Sequence, residues 1–101
     1  MGAGFVGILT FDLHLPANDS LKAKRSDLRS LKANLQHRFG ASVAEVDYHD
    51  LWQRSLVTTA LVDRRAGDLE LRLQDVERYV VAHFDAASVA HYAIVAPEDL
   101  T

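Results

Sequence analysis

The residues best suited to chemistry lie in one short polar stretch of the chain. It runs from Glu45 to Arg54 and combines carboxylates with a His, an Arg and the only Trp of the sequence. Paired carboxylates suit acid–base catalysis, and carboxylates with imidazoles suit a metal ion. A Trp beside a Gln and an Arg suits RNA instead, because an indole stacks on bases and a guanidinium pairs with phosphate. A routine hairpin turn requires none of these side chains, so the stretch predicts a function.

Five titratable residues at alternating positions raise the question of a metal site or an enzyme. They are Asp12, His14, Glu45, Asp47 and His49. The alternation predicts that all five share one sheet face, and the strand order derived below separates them into two clusters about 9–10 Å apart. One ion does not bridge that gap, so we interpret them as a polar outer face and predict neither metal ligands nor catalytic residues. An enzyme with a cleft lined by Glu45, Asp47 or His49 is the alternative.

The overall composition predicts one domain of ordinary type. The chain has 101 residues, 49% of them hydrophobic, which suits a single domain over residues 1–101. Cysteine is absent, which excludes disulfides and Cys-based zinc sites and fits a reducing cytoplasm. No apolar run is long enough to span a membrane, and the first residues show no signal-peptide pattern. We therefore expect a cytoplasmic protein with no membrane association and no cofactor.

Positive charge is concentrated in one segment of a mildly acidic chain. Residues 20–39 hold six basic residues and one Asp, which gives this segment a charge of +5. Because the net charge of the chain is −3, the rest of the chain carries a charge of −8. Such asymmetry indicates a face that binds anions. A solvated helix surface is the alternative interpretation.

Hydrophobic periodicity divides the chain into six elements. We predict strands over residues 5–15, 42–48, 55–62 and 88–96, and helices over residues 21–39 and 68–84. Ser20 is the expected N-cap of the first helix and Gly40 its C-cap. Residues 63–67 are expected to form a turn, and residues 97–101 a frayed tail.

The element order predicts a ferredoxin-like α+β fold. Strand, helix, strand, strand, helix, strand is the split βαβ pattern, with both helices on one face of a four-stranded antiparallel sheet of order 4-1-3-2. This topology brings the N-terminus of the first helix to the same end of the sheet as the connection from His49 to Arg54. Helix N-termini favour anions, so this end is a predicted RNA or anion site. Its candidate residues are Lys22, Lys24, Arg25, Arg29, Lys32, Trp52, Gln53 and Arg54.

Two other interpretations of the same surfaces stay open. Arg54 can pair with Asp50 or Asp19 while Trp52 covers the end of the core, which would make both residues structural. The helix-free sheet face can bury Val6 and other apolar side chains against a second copy, because they otherwise face water. That face carries no aromatic residue on the first strand, so it does not suit base stacking as in RNA-recognition motifs.

Several sequence blocks resemble the YlxP-like family of small bacterial proteins, a domain of unknown function. The blocks are Ser20-Leu21-Lys22-x-Lys24-Arg25, Leu28-Arg29-Ser30-Leu31-Lys32, Ser42-Val43-Ala44-Glu45-Val46-Asp47 and Asp50-Leu51-Trp52-Gln53-Arg54. The resemblance implies a ferredoxin-like fold and implies no reaction, cofactor or ligand. Members of this family are often encoded near genes for translation initiation and ribosome maturation. Tyr48 and Ala23 depart from the pattern, where a polar residue such as His and a Glu are expected.

Together these observations predict a non-enzymatic accessory protein that binds structured or ribosomal RNA, or a ribosomal subunit. The basic side chains would contact phosphates, while Trp52 and Gln53 would stack on bases or read shape. The alternative is a homodimeric module for protein interaction or a small ligand that uses the open sheet face.

Overall fold

The computed structural model describes residues 2–100 as a four-stranded antiparallel sheet with two helices packed on it. The elements are β1 (Phe5–His14), α1 (Leu21–Phe39), β2 (Ser42–Asp47), β3 (Arg54–Asp63), α2 (Ala66–His83), β4 (Ser88–Val95) and a 3-10 helix (Pro97–Leu100). The sheet order is β2-β3-β1-β4, which is the predicted order read from the other edge. The ferredoxin-like prediction is confirmed.

The core lies between the central strands and the two helices. The inward side chains of β1 are fully buried, and so is the apolar stripe of α2. These side chains are Leu9, Phe11, Leu13, Leu69, Leu73, Val76 and Val80. They recur with the strand and helix periods, because only one face of each element meets the sheet–helix interface.

Helix α1 begins and ends at the predicted caps. The Ser20 hydroxyl accepts a hydrogen bond from the Ala23 N–H at 3.1 Å. Gly40 ends the helix in the left-handed region, with φ 65°, and its N–H donates to the Gln36 carbonyl. Glycine has no Cβ penalty there. This capping sets where the basic helix starts relative to the β2–β3 connection.

Two segments that were predicted to be irregular are partly regular in the structure. Helix α2 starts at Ala66, inside the predicted turn, because Gly67 lies in the first turn of the helix and does not end the loop. Residues 97–100 form a 3-10 helix, and the Glu98 carboxylate accepts a hydrogen bond from the Ala3 N–H at 2.7 Å. The frayed-tail prediction is therefore wrong for those residues, and Thr101 lies outside the described residues.

A bulge in β2 overturns the prediction that the five titratable residues share one face. The register of β2 on β3 shifts between Glu45 and Asp47. Glu45 lies opposite buried Val57 and thus on the helix side, whereas Asp47 lies opposite Leu56 on the open face. Simple alternation assumes no inserted residue, and a bulge adds one.

Candidate functional site

Lys24 joins helix α1 to the β2–β3 connection from inside the protein. Its side chain is 1% exposed, and its Nζ lies 2.8 Å from Glu45 Oε2. The same ammonium donates to the carbonyl oxygens of Tyr48 at 2.5 Å and His49 at 3.5 Å. An ammonium has three protons to donate, and these three acceptors use them. Lys24 therefore positions the connection and offers no charge to a phosphate, contrary to its predicted role.

Glu45 is the carboxylate that pairs with this buried side chain. Besides Lys24, the Ser55 hydroxyl donates to Glu45 Oε2 at 2.5 Å. Burial acts to raise the pKa of Glu45, but the hydrogen bonds from Lys24 and Ser55 and the Lys24 charge outweigh it, so the pKa lies below its usual value. His49 Nε2 is 4.0 Å from Glu45 Oε1. Glu45 is thus an ionised structural group.

Tyr48 turns the chain out of β2 in an uncommon backbone conformation. Its φ of 64° is the only positive value at a residue other than Gly within residues 2–100. The Asp47 carboxylate accepts its N–H at 2.7 Å, and Lys24 binds its carbonyl. These contacts on both peptide groups hold a conformation that non-glycine residues rarely adopt.

Arg54 is held on the open sheet face by a paired carboxylate. Its Nε and Nη2 donate to the two Asp12 oxygens at 3.2 and 2.8 Å. The hydrogen bonds from Arg54 lower the pKa of Asp12 below its usual value against the opposing effect of burial. The guanidinium also lies over the Tyr48 ring, 4.4 Å from its centroid. The partner is neither Asp50 nor Asp19, the two carboxylates of the structural alternative, because the β1–β3 register brings Asp12 diagonally next to Arg54.

Gln53 fastens the same connection to the loop after β1. Its Nε2 donates to the carbonyl oxygens of Pro16 at 3.4 Å and Asn18 at 3.2 Å. In the other direction, Asn18 Nδ2 donates a hydrogen bond to the Trp52 carbonyl. The Leu15 N–H donates to the Gln53 carbonyl at 2.9 Å. Gln53 is accordingly a positioning residue, although it is exposed.

The anchored connection displays Trp52 to solvent. The Trp52 side chain is 51% exposed and its neighbour Leu51 is 47% exposed. An open depression of about 550 Å3 lies beside them. Its lining residues are His14, Asp50, Leu51, Trp52, Gln53 and Arg54. Trp52 therefore does not cover the core, and its half-exposed indole offers a surface for stacking.

Four basic side chains form one continuous row on α1, which we term the basic stripe: Lys22, Arg25, Arg29 and Lys32. Their spacing places them within one quarter of the helix circumference and about 15 Å along its axis. All four are exposed. None forms an ion pair with any carboxylate of residues 2–100. The stripe borders strand β2, because three of its residues line a depression with Glu45.

The eight predicted site residues thus divide into two structural groups. The basic stripe and Trp52 are exposed, as an RNA-contacting role requires. Lys24, Gln53 and Arg54 hold the connection in place through internal contacts. The role of Lys24 had a signal in the sequence, since it lies three residues after Leu21 and four before Leu28, on the apolar stripe of α1.

The described part of the chain holds neither a metal-binding cluster nor a membrane-spanning helix. Within residues 2–100 no group of three His, Asp or Glu side chains is arranged to hold a metal ion. Over the same residues, neither helix has the length and apolar character needed to cross a membrane.

Comparison with known proteins decides the family. The profile of a family described as "Protein of unknown function (DUF503)" matches residues 6–93. The chain belongs to this family. The match covers all four strands apart from the start of β1 and the end of β4. It includes the basic stripe, the Lys24–Glu45 pair and Trp52.

A curated relative supports the assignment. The chain is 34% identical over 61 residues to the "Uncharacterized protein YlxP" of Bacillus subtilis (strain 168). The alignment covers 60% of this chain and 66% of the relative, just under two thirds of its length. The YlxP-like resemblance drawn from the sequence is therefore confirmed. DUF503 carries no established activity by its description.

Proposed function

We propose that this DUF503 protein is a non-enzymatic accessory factor that binds structured RNA, with ribosomal RNA as the favoured target. The observation that carries the proposal is the basic stripe, which has four exposed cations and no carboxylate partner among the described residues. Surface cations on a helix are commonly paired with an acid one turn away. No carboxylate of residues 2–100 forms an ion pair with them, and Glu45 at the border of the stripe is already paired with Lys24, so the stripe attracts an external polyanion.

The geometry of the stripe suits a nucleic-acid backbone. Its length of about 15 Å along the helix gives a straight row of cations that can follow consecutive phosphates. Trp52 supplies a stacking surface for an unpaired base. The Lys24, Gln53 and Arg54 contacts hold the connection that carries it, so little ordering entropy would be lost on binding.

The test is cosedimentation of the purified protein with ribosomal subunits and with ribosomal RNA, at low and at moderate salt. We expect binding that weakens as salt rises, because phosphate contacts release counterions. Lys22→Glu with Arg25→Glu should abolish it. Arg64→Glu with Arg65→Glu is the matched control, since it makes the same charge change at two exposed residues outside the stripe. If the stripe variant and the control bind alike, the proposal is wrong.

Trp52→Ala tests the stacking contribution separately. Because the indole is half exposed and caps no core, the free energy of unfolding should stay unchanged. RNA affinity should fall by about fivefold to a hundredfold, as expected for loss of one base–aromatic stack of about 1–3 kcal/mol. An unchanged affinity would restrict the interaction to phosphate contacts.

A homodimeric module that pairs through the open sheet face is the second candidate function. One observation favours it: the face carries apolar side chains that no element of residues 2–100 covers, including Val62 at 67% exposure. Val62 lies opposite Val6, with Ile8 opposite Ala60 beside them. Val62→Glu should then turn a dimer into a monomer in sedimentation velocity, whereas a wild-type monomer at high concentration would exclude this function.

A further inference from the structure

The two edges of the sheet differ in the charge that they carry. Strand β2 is six residues long, and its charged residues are Glu45, which pairs with Lys24, and Asp47. Each of the two edge strands shows one shift of register against its neighbour. Strand β4 is eight residues long, and its sequence, SVAHYAIV, has no Lys, Arg, Asp, Glu or Pro. Its outer backbone groups therefore remain open to another strand.

An acidic row lies above the β4 edge. Glu70 and Glu77 are seven residues apart on α2 and so share one side of that helix. Both are exposed, and neither pairs with a cation within residues 2–100. Their charges add to burial in raising the pKa of Tyr92 on β4. Since Tyr92 lies opposite Leu9 on the helix side of the sheet, the two carboxylates face the β4 edge.

Exposed apolar side chains accompany this acidic row. Val81 follows Glu77 by one helical turn and is exposed, as are Val89 and Tyr92 on β4. Val89 lies opposite Phe11 and so also points to the helix side. The β4 edge thus presents free backbone groups, apolar contacts and two unpaired carboxylates together, a combination that suits an added strand with cations beside it.

The opposite edge of the same molecule has the complementary properties. The basic stripe borders β2, and Arg25 and Lys32 are seven residues apart, as Glu70 and Glu77 are. Each pair therefore spans about 10 Å along its helix. A depression of about 470 Å3 at this edge is lined by stripe residues together with Leu28 and Ala33, which leaves room for side chains from a neighbour.

Strand directions allow the two edges to meet. Because every neighbouring pair in the sheet is antiparallel, β1 and β2 run one way and β3 and β4 run the other. A second copy placed beside the first in the same orientation sets its β4 antiparallel to β2. Its α2 then lies antiparallel to α1 on the same face of the sheet, so Glu77 of one copy approaches Arg25 of the other and Glu70 approaches Lys32.

We propose that the β4–α2 edge of one copy docks on the β2–α1 edge of a second copy, extending the antiparallel sheet head to tail. The partner is chosen by charge complementarity, since each molecule carries one acidic and one basic edge. Such a contact is heterologous, so association continues beyond two copies unless the twist closes a ring. This proposal does not rest on RNA binding, although both use the basic stripe.

Complementary charge variants test the proposal in RNA-free protein by sedimentation velocity at low salt. We expect the wild type to sediment faster as its concentration rises. Glu70→Lys with Glu77→Lys leaves two basic edges, and Arg25→Glu with Lys32→Glu leaves two acidic edges. Each variant alone should lose self-association by roughly tenfold or more, because like charges then face each other. An equimolar mixture of the two variants should associate again.

A control variant on the open face distinguishes edge docking from pairing through that face. Val62→Glu should leave the association unchanged, and circular dichroism should show that all variants fold. Wild type that stays monomeric at high concentration, or a mixture that fails to associate, would overturn the proposal. An assembly lost on Val62→Glu and kept in both edge variants would overturn it too and assign the contact to the open face. RNA cosedimentation of the Glu70→Lys, Glu77→Lys variant reports separately on the proposed function.

Discussion

At the scale of single residues, Lys24 is the least expected feature of the protein. A Lys in a run of Lys and Arg at a helix start was predicted to face solvent, yet it is buried and fully hydrogen-bonded. The adjacent Lys22 and Arg25 do face solvent. Neighbouring residues of the same charge thus differ in role. Lys24 stabilises the fold, whereas Lys22 and Arg25 are accessible to a ligand.

Replacing Lys24 by Met should destabilise the protein. Methionine fills similar space but leaves Glu45 without its cation and the Tyr48 carbonyl without the Lys24 donor, and breaking a buried pair costs about 3–5 kcal/mol. Because the Glu45 side chain is 18% exposed, water compensates in part, and we expect about 2–4 kcal/mol in urea unfolding. Lys22→Met, exposed on the same turn, is the control and should change stability little. An equal effect of both substitutions would contradict the buried-pair interpretation.

Low pH should destabilise the protein through Glu45. The folded pKa of Glu45 is lowered, so its contribution to stability is complete above the unfolded value of about 4.3 and is lost as the pH falls through the folded pKa. The free energy of unfolding should hence stay level from neutral pH to about 5 and decline below it. Asp12 and Asp63, whose pKa values are lowered too, contribute to the decline. Glu45→Gln should make it shallower, measured by denaturant titrations at successive pH values.

At the scale of the elements, the close approach of β1 to α2 depends on a glycine in the strand. A Cβ on Gly7 would lie 2.6 Å from Leu73 Cδ1 and 3.1 Å from Leu69 Cδ1. Both leucines are fully buried and have little room to move. Gly7→Ala should therefore cost about 1–3 kcal/mol through overpacking. Gly67→Ala is the matched control, because nothing lies within 4 Å of its Cβ position, and it should be neutral or slightly stabilising by urea unfolding.

The elements also show what the sequence could predict. The helices, the strands and their order followed from long periodic patterns, because one buried face repeats along each element. The side-chain partners around Trp52 did not follow. A bulge between Glu45 and Asp47 and a positive φ at Tyr48 change which way side chains point, and neither has a distinct local signature. The alternative pairing of Arg54 with Asp50 or Asp19 did not anticipate Asp12, since the pairing with Asp12 depends on the register between distant strands.

At the scale of the whole molecule, charge is divided between the two sides of the sheet. The basic stripe lies along the β2 edge and Glu70 and Glu77 along the β4 edge, so the net charge of −3 conceals a dipole across the sheet. Both proposals place a partner on the stripe, and one surface cannot hold both.

RNA should therefore compete with self-association. Adding a structured ribosomal RNA fragment to associated wild-type protein should lower the size of the protein assembly while the protein becomes RNA-bound, because phosphates displace the carboxylates of the neighbouring copy. Labelled protein followed by sedimentation velocity measures both species. A mixed assembly in which RNA binds without shortening the protein oligomer would show that the two contacts use different surfaces.

The antiparallel pairing of β1 with β4 has a practical consequence for handling the molecule. Val6 lies opposite Val95, so the start of β1 and the end of β4 meet at one end of the sheet, whereas Trp52 lies at the other. A tether attached before β1 or after β4 will anchor the protein to a sensor chip with its indole pointing into the flowing sample. Surface-based binding measurements can thus begin from an oriented molecule.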